Sequence, residues 1–75
     1  MTEERAKSIA ESSDLILNGY AVTRDGENFR VINLKTGKAA YVMGSGALSE
    51  TNMDEVESAI AVRIVTENRK YITAA

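Results

Sequence analysis

Apolar positions along this chain change period twice. Between Thr2 and Leu17 they keep helical spacing, with Ala6, Ile9, Ala10 and Leu17 near one stripe. Thr2 offers a capping hydroxyl, and Glu3 and Glu4 sit where the helix dipole favours negative charge. Ser12, Ser13 and Asp14 compete with the helical backbone for hydrogen bonds and predict a kink or restart. Asn18-Gly19 reads as the stop, because glycine closes a helix in the left-handed conformation at no steric cost. From Tyr20 the period drops to two. Residues 20–24 and 28–34 read as strands around Asp25-Gly26, a strong hairpin signal. A two-residue turn there pairs Arg24 with Glu27, Thr23 with Asn28, Val22 with Phe29 and Tyr20 with Val31. Residues 38–43 make a third strand behind a three-residue loop of Lys35, Thr36 and Gly37, which sets Val31 against Tyr41 and Phe29 against Met43.

In that register Tyr20, Val22, Phe29, Val31, Tyr41 and Met43 share one face of the sheet. The other face carries Ala21, Thr23, Arg30, Ile32, Leu34, Ala40 and Val42, apolar enough to want partial cover. The helical period returns after the Gly44-Ser45-Gly46 connection. Thr51 or Asn52 caps a second helix, with Asp54 or Glu55 three residues on completing a capping box. Met53, Val56, Ile60, Ile64 and Tyr71, with Ala59 beside them, form the predicted core stripe. Ala61, Val62 and Val65 widen it beyond what one sheet face needs, so part of this helix is expected to face the first helix or another chain. Arg69 and Lys70 suit its negative C-terminal end.

The expected fold is therefore α+β, a helix, a three-stranded antiparallel β-meander and a helix (αβββα) in two layers. One domain spans residues 1–75, with the aromatic sheet face beneath the last helix. At 75 residues the chain buries only about 60% of its unfolded surface, so the core is marginal. With 44% hydrophobic and 27% charged residues it falls inside the globular class. There is no cysteine and no histidine, so neither disulfides nor zinc supplement that core; packing or a second copy must. The lack of cysteine suits a reducing, cytoplasmic setting. Glu3, Glu4, Arg5 and Lys7 stand where an export signal would need an apolar run, and no apolar run approaches the roughly 20 residues that cross a bilayer, so no membrane role is expected.

The net charge of −2 is too mild for strong steering, but its distribution is uneven. Glu50, Asp54, Glu55 and Glu57 gather without a base, whereas Arg24, Arg30, Lys35 and Lys38 outnumber Asp25 and Glu27. Without histidine or cysteine, catalysis would need a carboxylate, lysine, serine or tyrosine in a cleft, which a domain this small rarely encloses. Asp54 and Glu57, one turn apart, resemble a paired acid but suit the helix dipole better. Gly44-Ser45-Gly46 lacks the lysine and spacing of a phosphate loop, and the acidic cluster lacks the alternation of a calcium loop. No enzyme activity and no cofactor are expected.

The order helix, three strands, helix resembles the double-stranded-RNA-binding domain. That family opens its second helix on a lysine-rich motif, where this chain reads Thr51-Asn52-Met53-Asp54-Glu55. The segment from Tyr20 to Tyr71 also resembles the three-strand-plus-helix layout of integrase arm-binding DNA domains, which implies a sheet that enters the major groove. A third resemblance, in order and size, is to small acidic phage proteins that inhibit CRISPR nucleases, and it implies a bacterial or phage setting. The leading expectation is a small non-catalytic protein-interaction module, self-associating as a homodimer or acting as a phage-type inhibitor of another protein, through Arg30, Ile32, Leu34 and Val42. The alternative is a nucleic-acid-binding domain using Arg24, Arg30, Lys35 and Lys38.

Overall fold

The structure is a computed structural model and describes residues 2–72. It holds two helices and five strands: α1 (Glu3–Glu11), β1 (Leu15–Leu17), β2 (Tyr20–Asp25), β3 (Asn28–Asn33), β4 (Ala39–Met43), β5 (Leu48–Thr51) and α2 (Glu55–Ile72). The strands form one antiparallel sheet in sequence order, so the expected three-stranded meander is corrected to five.

The first extra strand, β1, comes from turn chemistry that admits two readings. Thr2 caps α1 as expected, its hydroxyl accepting from the Arg5 N–H at 3.2 Å. The helix then ends early at Glu11, where the Ser12 and Ser13 hydroxyls donate to the Ile9 carbonyl instead of extending the helical ladder. Asn18-Gly19 therefore has no helix to stop. Its φ values of 49° and 80° are the positive pair a type I′ hairpin requires, and the turn folds residues 15–17 back on β2. Asp14 completes this edge: its N–H donates to the Val22 carbonyl at 3.0 Å, and its carboxylate accepts from the Arg24 N–H at 2.7 Å. A Cβ at Gly19 would meet nothing within 4 Å, so Gly19→Ala tests backbone strain alone. It is expected to cost about 1 kcal/mol, read as a melting point lower by roughly 5 °C.

Register decides which side chains enter the core. Asp25 lies opposite Asn28, so the β2–β3 turn is Gly26-Glu27, one residue later than expected. Glycine with φ 64° at its first position suits a type II′ turn. This slip moves each partner by two positions, Val22 facing Val31 in place of Phe29, and leaves every side chain on its expected face. The β3–β4 slip is of the other kind. Asn33 and Lys38 flank a four-residue loop, with the Asn33 side-chain oxygen accepting from the Lys35 and Thr36 amides, and Phe29 pairs with Val42 and Val31 with Ala40. A one-residue shift turns a whole strand over. Ala40 and Val42 are consequently on the face of Val22, and Tyr41 and Met43 on the opposite one.

One row, Leu15, Val22, Val31, Ala40 and Thr51, crosses all five strands beneath α2, and Phe29 and Val42 form part of the next. The core is Val22, Phe29, Val31, Ala40 and Val42 against Met53, Ala61, Ile64, Val65 and Ile72, with Leu15, Leu17, Tyr20 and Val62 packed at its margin. α2 lies against β2, β4 and β5. Its cap is Asp54, whose carboxylate accepts from the Glu57 N–H at 2.7 Å. Thr51 and Asn52 are used instead within the approach, accepting from Met53 and Ala39. The expected stripe on α2 is thus rotated. Ser58, Ala61, Ile64, Val65 and Ile72 are buried, while Val56, Ile60 and Tyr71 are exposed.

Candidate functional site: the outer face of the second helix

The residues expected to make a contact face are not available as one. Val42 is 0% exposed in the core beneath α2, because β4 is turned over relative to the expected register. Ile32 does lie on the opposite face, in the row Ile16, Ala21, Ile32 and Ala39, but is only 4% exposed. Leu34 is half-buried in the β3–β4 loop, and Arg30 alone is exposed. Around Arg30 the row reads Thr23, Arg30, Tyr41 and Glu50, a mixed polar surface and not an aliphatic patch.

The basic set is dispersed as well. Arg24 lies opposite Phe29, on the α2 side of the sheet, and its Nε–H donates to the Gly26 carbonyl at 3.1 Å in place of the expected pairing with Glu27. Arg30 points to the other side. Lys35 and Lys38 belong to the β3–β4 turn, at the far end of a six-residue strand that runs about 20 Å. No single phosphate track passes over all four.

The acidic and glycine-rich segments are taken up by structure. Asp54 caps α2, and the Glu57 carboxylate accepts from the Asn33 side-chain amide at 3.0 Å, tying the first helical turn to the end of β3. The Gly44 and Gly46 amides donate to the carbonyls of Glu27 and Met43, so they do not form an open anion cradle. The Gly44 carbonyl accepts from the Arg69 guanidinium, which ties the C-terminal part of α2 to the same loop. Among the described residues no group of three or more acids gathers to hold a metal.

Ile16, Met43, Leu48 and Tyr71 are exposed at separate places, and Val56 and Ile60 are exposed together on the outside of α2. Val56 is 70% exposed and Ile60 39%, and with Ala59, Glu55 and Arg63 they line a shallow apolar groove. Ile60 and Arg63 also border a second depression with Leu17, Asn18, Ile64 and Glu67, so the surface extends from the helix toward the β1–β2 turn. Arg63 donates from Nε to the Glu67 carboxylate at 2.9 Å, and this hydrogen bond, followed by the charge of Glu67, raises the Arg63 pKa against a small opposing effect of burial. Residues 56, 59, 60 and 63 recur at spacings of three and four, opposite the stripe of 58, 61 and 65. The signal in the sequence was the excess apolar width of this helix. The expected assignment of its two halves, Val56 and Ile60 inside and Ala61 and Val65 outside, is reversed by the way the helix docks on the sheet.

An antiparallel five-stranded sheet in sequence order, with one long helix across it and a short helix before it, defines a small α+β domain. No helix is long and apolar enough to cross a membrane among the described residues. The chain belongs to DUF7723, a family of unknown function whose model matches residues 3–72. No curated protein and no solved structure matches it.

Proposed function

We propose that the chain is a non-catalytic protein-interaction module whose contact surface is the outer face of α2. The observation that carries this reading is the exposure of Val56 at 70% beside Ala59 and Ile60 in one groove. Fully burying an exposed valine or isoleucine side chain is worth roughly 1.5–3 kcal/mol, and Val56 at 70% and Ile60 at 39% exposure on one face of α2 hold back part of that. A partner that covers them gains that free energy without opening the core. Non-catalytic character is supported by the use of Asp54 and Glu57 as cap and tie. A cytoplasmic setting is proposed on the absence of cysteine.

Affinity capture from the source cell, with and without nuclease, tests the reading when run beside Ile60→Lys. Retention of a protein by the wild-type chain after nuclease, with at least a tenfold loss in the variant, is the expected result. Capture that vanishes with nuclease would transfer support to nucleic-acid binding. Capture indifferent to Ile60→Lys would remove the α2 surface from consideration.

A further inference from the structure

We infer that the occupant of the α2 groove is a second copy of this chain, its own α2 laid antiparallel across a two-fold axis near Ala59. This inference rests on the interaction reading above and goes further by naming the partner.

The groove is its own complement. Glu55 and Arg63 bound it, with Val56, Ala59 and Ile60 between them. They stand eight positions apart, about 12 Å along the helix, with Ala59 midway. A copy running antiparallel about Ala59 therefore brings each Glu55 to the other chain's Arg63, twice by symmetry. A parallel copy in register would set acid against acid and base against base. Two-fold contacts are isologous, so an acid and a base disposed evenly about a centre are what such an axis requires.

Shape and the remaining charges agree with this orientation. Ala59 at the centre is small enough for two helices to approach within the usual 8–10 Å, and Val56 and Ile60 from each side then flank the crossing point. Arg63 carries its ion pair to Glu67 at the surface, with side-chain exposures of 78% and 59%, so its guanidinium keeps donors for a second carboxylate.

Size sets the strength. About Ala59 the two helices overlap only from residue 55 to residue 63, about two and a half turns, and a helix about 10 Å wide in contact over that length covers on the order of 200 Å² per chain, well below the roughly 800 Å² per partner of a standard interface. The dimer is accordingly a reversible one, populated at concentrations from about 10 μM to about 1 mM and dissociating below.

Sedimentation of the purified chain, full length and without partner, is the test. The mean mass is expected to rise with concentration from that of one chain toward that of two. Arg63→Glu and Glu55→Arg, each alone, set like charges together and are expected to weaken association at least tenfold while leaving the far-UV spectrum unchanged, since both sites are on the exposed side of α2. An equimolar mixture of the two variants restores opposite charges at both contacts and is expected to recover the wild-type association, as is the double variant. A single-chain mass at every concentration would overturn the inference, and so would a dimer indifferent to the reversals or a mixture that stays monomeric. A monomeric chain whose captured protein is still lost with Ile60→Lys would defeat the second copy as partner and leave the interaction reading standing.

Discussion

A chain carrying lysine in place of Val42 is expected not to fold. Val42 is fully buried between Phe29 and α2, and a lysine there loses the burial of the valine, worth roughly 1.5–3 kcal/mol, and places an unpaired ammonium in the core at several kcal/mol more. A domain of this size has about 5 kcal/mol to lose. Far-UV circular dichroism of Val42→Lys should therefore show a chain without a cooperative melt. The matched control is Val56→Lys, the same exchange at a position 70% exposed, for which the expected change is within about 0.5 kcal/mol. Equal melting of the two variants would mean that β4 presents Val42 to solvent and that the register described above is incorrect.

The second large effect concerns the rotation of α2. Ala61 is 0% exposed in the core cluster that also holds Val31, Ala40 and Val65, whereas Ala59, two positions earlier, faces outward. Ala61→Leu forces extra volume into a closed site and is expected to cost about 1–3 kcal/mol, a fall in melting temperature of roughly 10 °C. Ala59→Leu changes helix propensity hardly at all and meets no packed neighbour, so its melting temperature should stay near that of the unaltered chain. Thermal melts of the pair separate a helix docked through 58, 61 and 65 from one docked through 56 and 60.

These contrasts also show where sequence reasoning succeeded and where it stopped. The Thr2 cap, the hairpin near Asp25-Gly26 and the common face of Tyr20, Val22, Phe29 and Val31 were all legible, because each depends on residues within a few positions of one another. Even the misplaced β2–β3 turn kept that face, since it moved partners by an even number. Asn18-Gly19 misled because a left-handed pair ends a helix or turns a hairpin with equal local ease. What chose between them was the availability of β2 as a partner for residues 15–17. The candidate contact face failed for a related reason: a loop between Asn33 and Lys38 that is one residue longer than expected turned Val42 inward and Tyr41 outward. The α2 surface was visible as an excess of apolar positions but was assigned the wrong way round: Val56, Ile60 and Tyr71 were expected in the core and are exposed, while Ala61 and Val65, expected to face the first helix or another chain, are buried.

By itself the sequence determined the helical ends of the chain, the β character of its middle and the membership of the two faces in β2 and β3. Those are outcomes of backbone chemistry and side-chain periodicity acting over one turn or one hairpin. Tertiary structure alone decided the facing of β4, the recruitment of β1 and β5 to the sheet, and which side of α2 docks. In each of these the competing arrangements bury similar apolar side chains and satisfy the same local rules, so only contact between segments distant along the chain separates them.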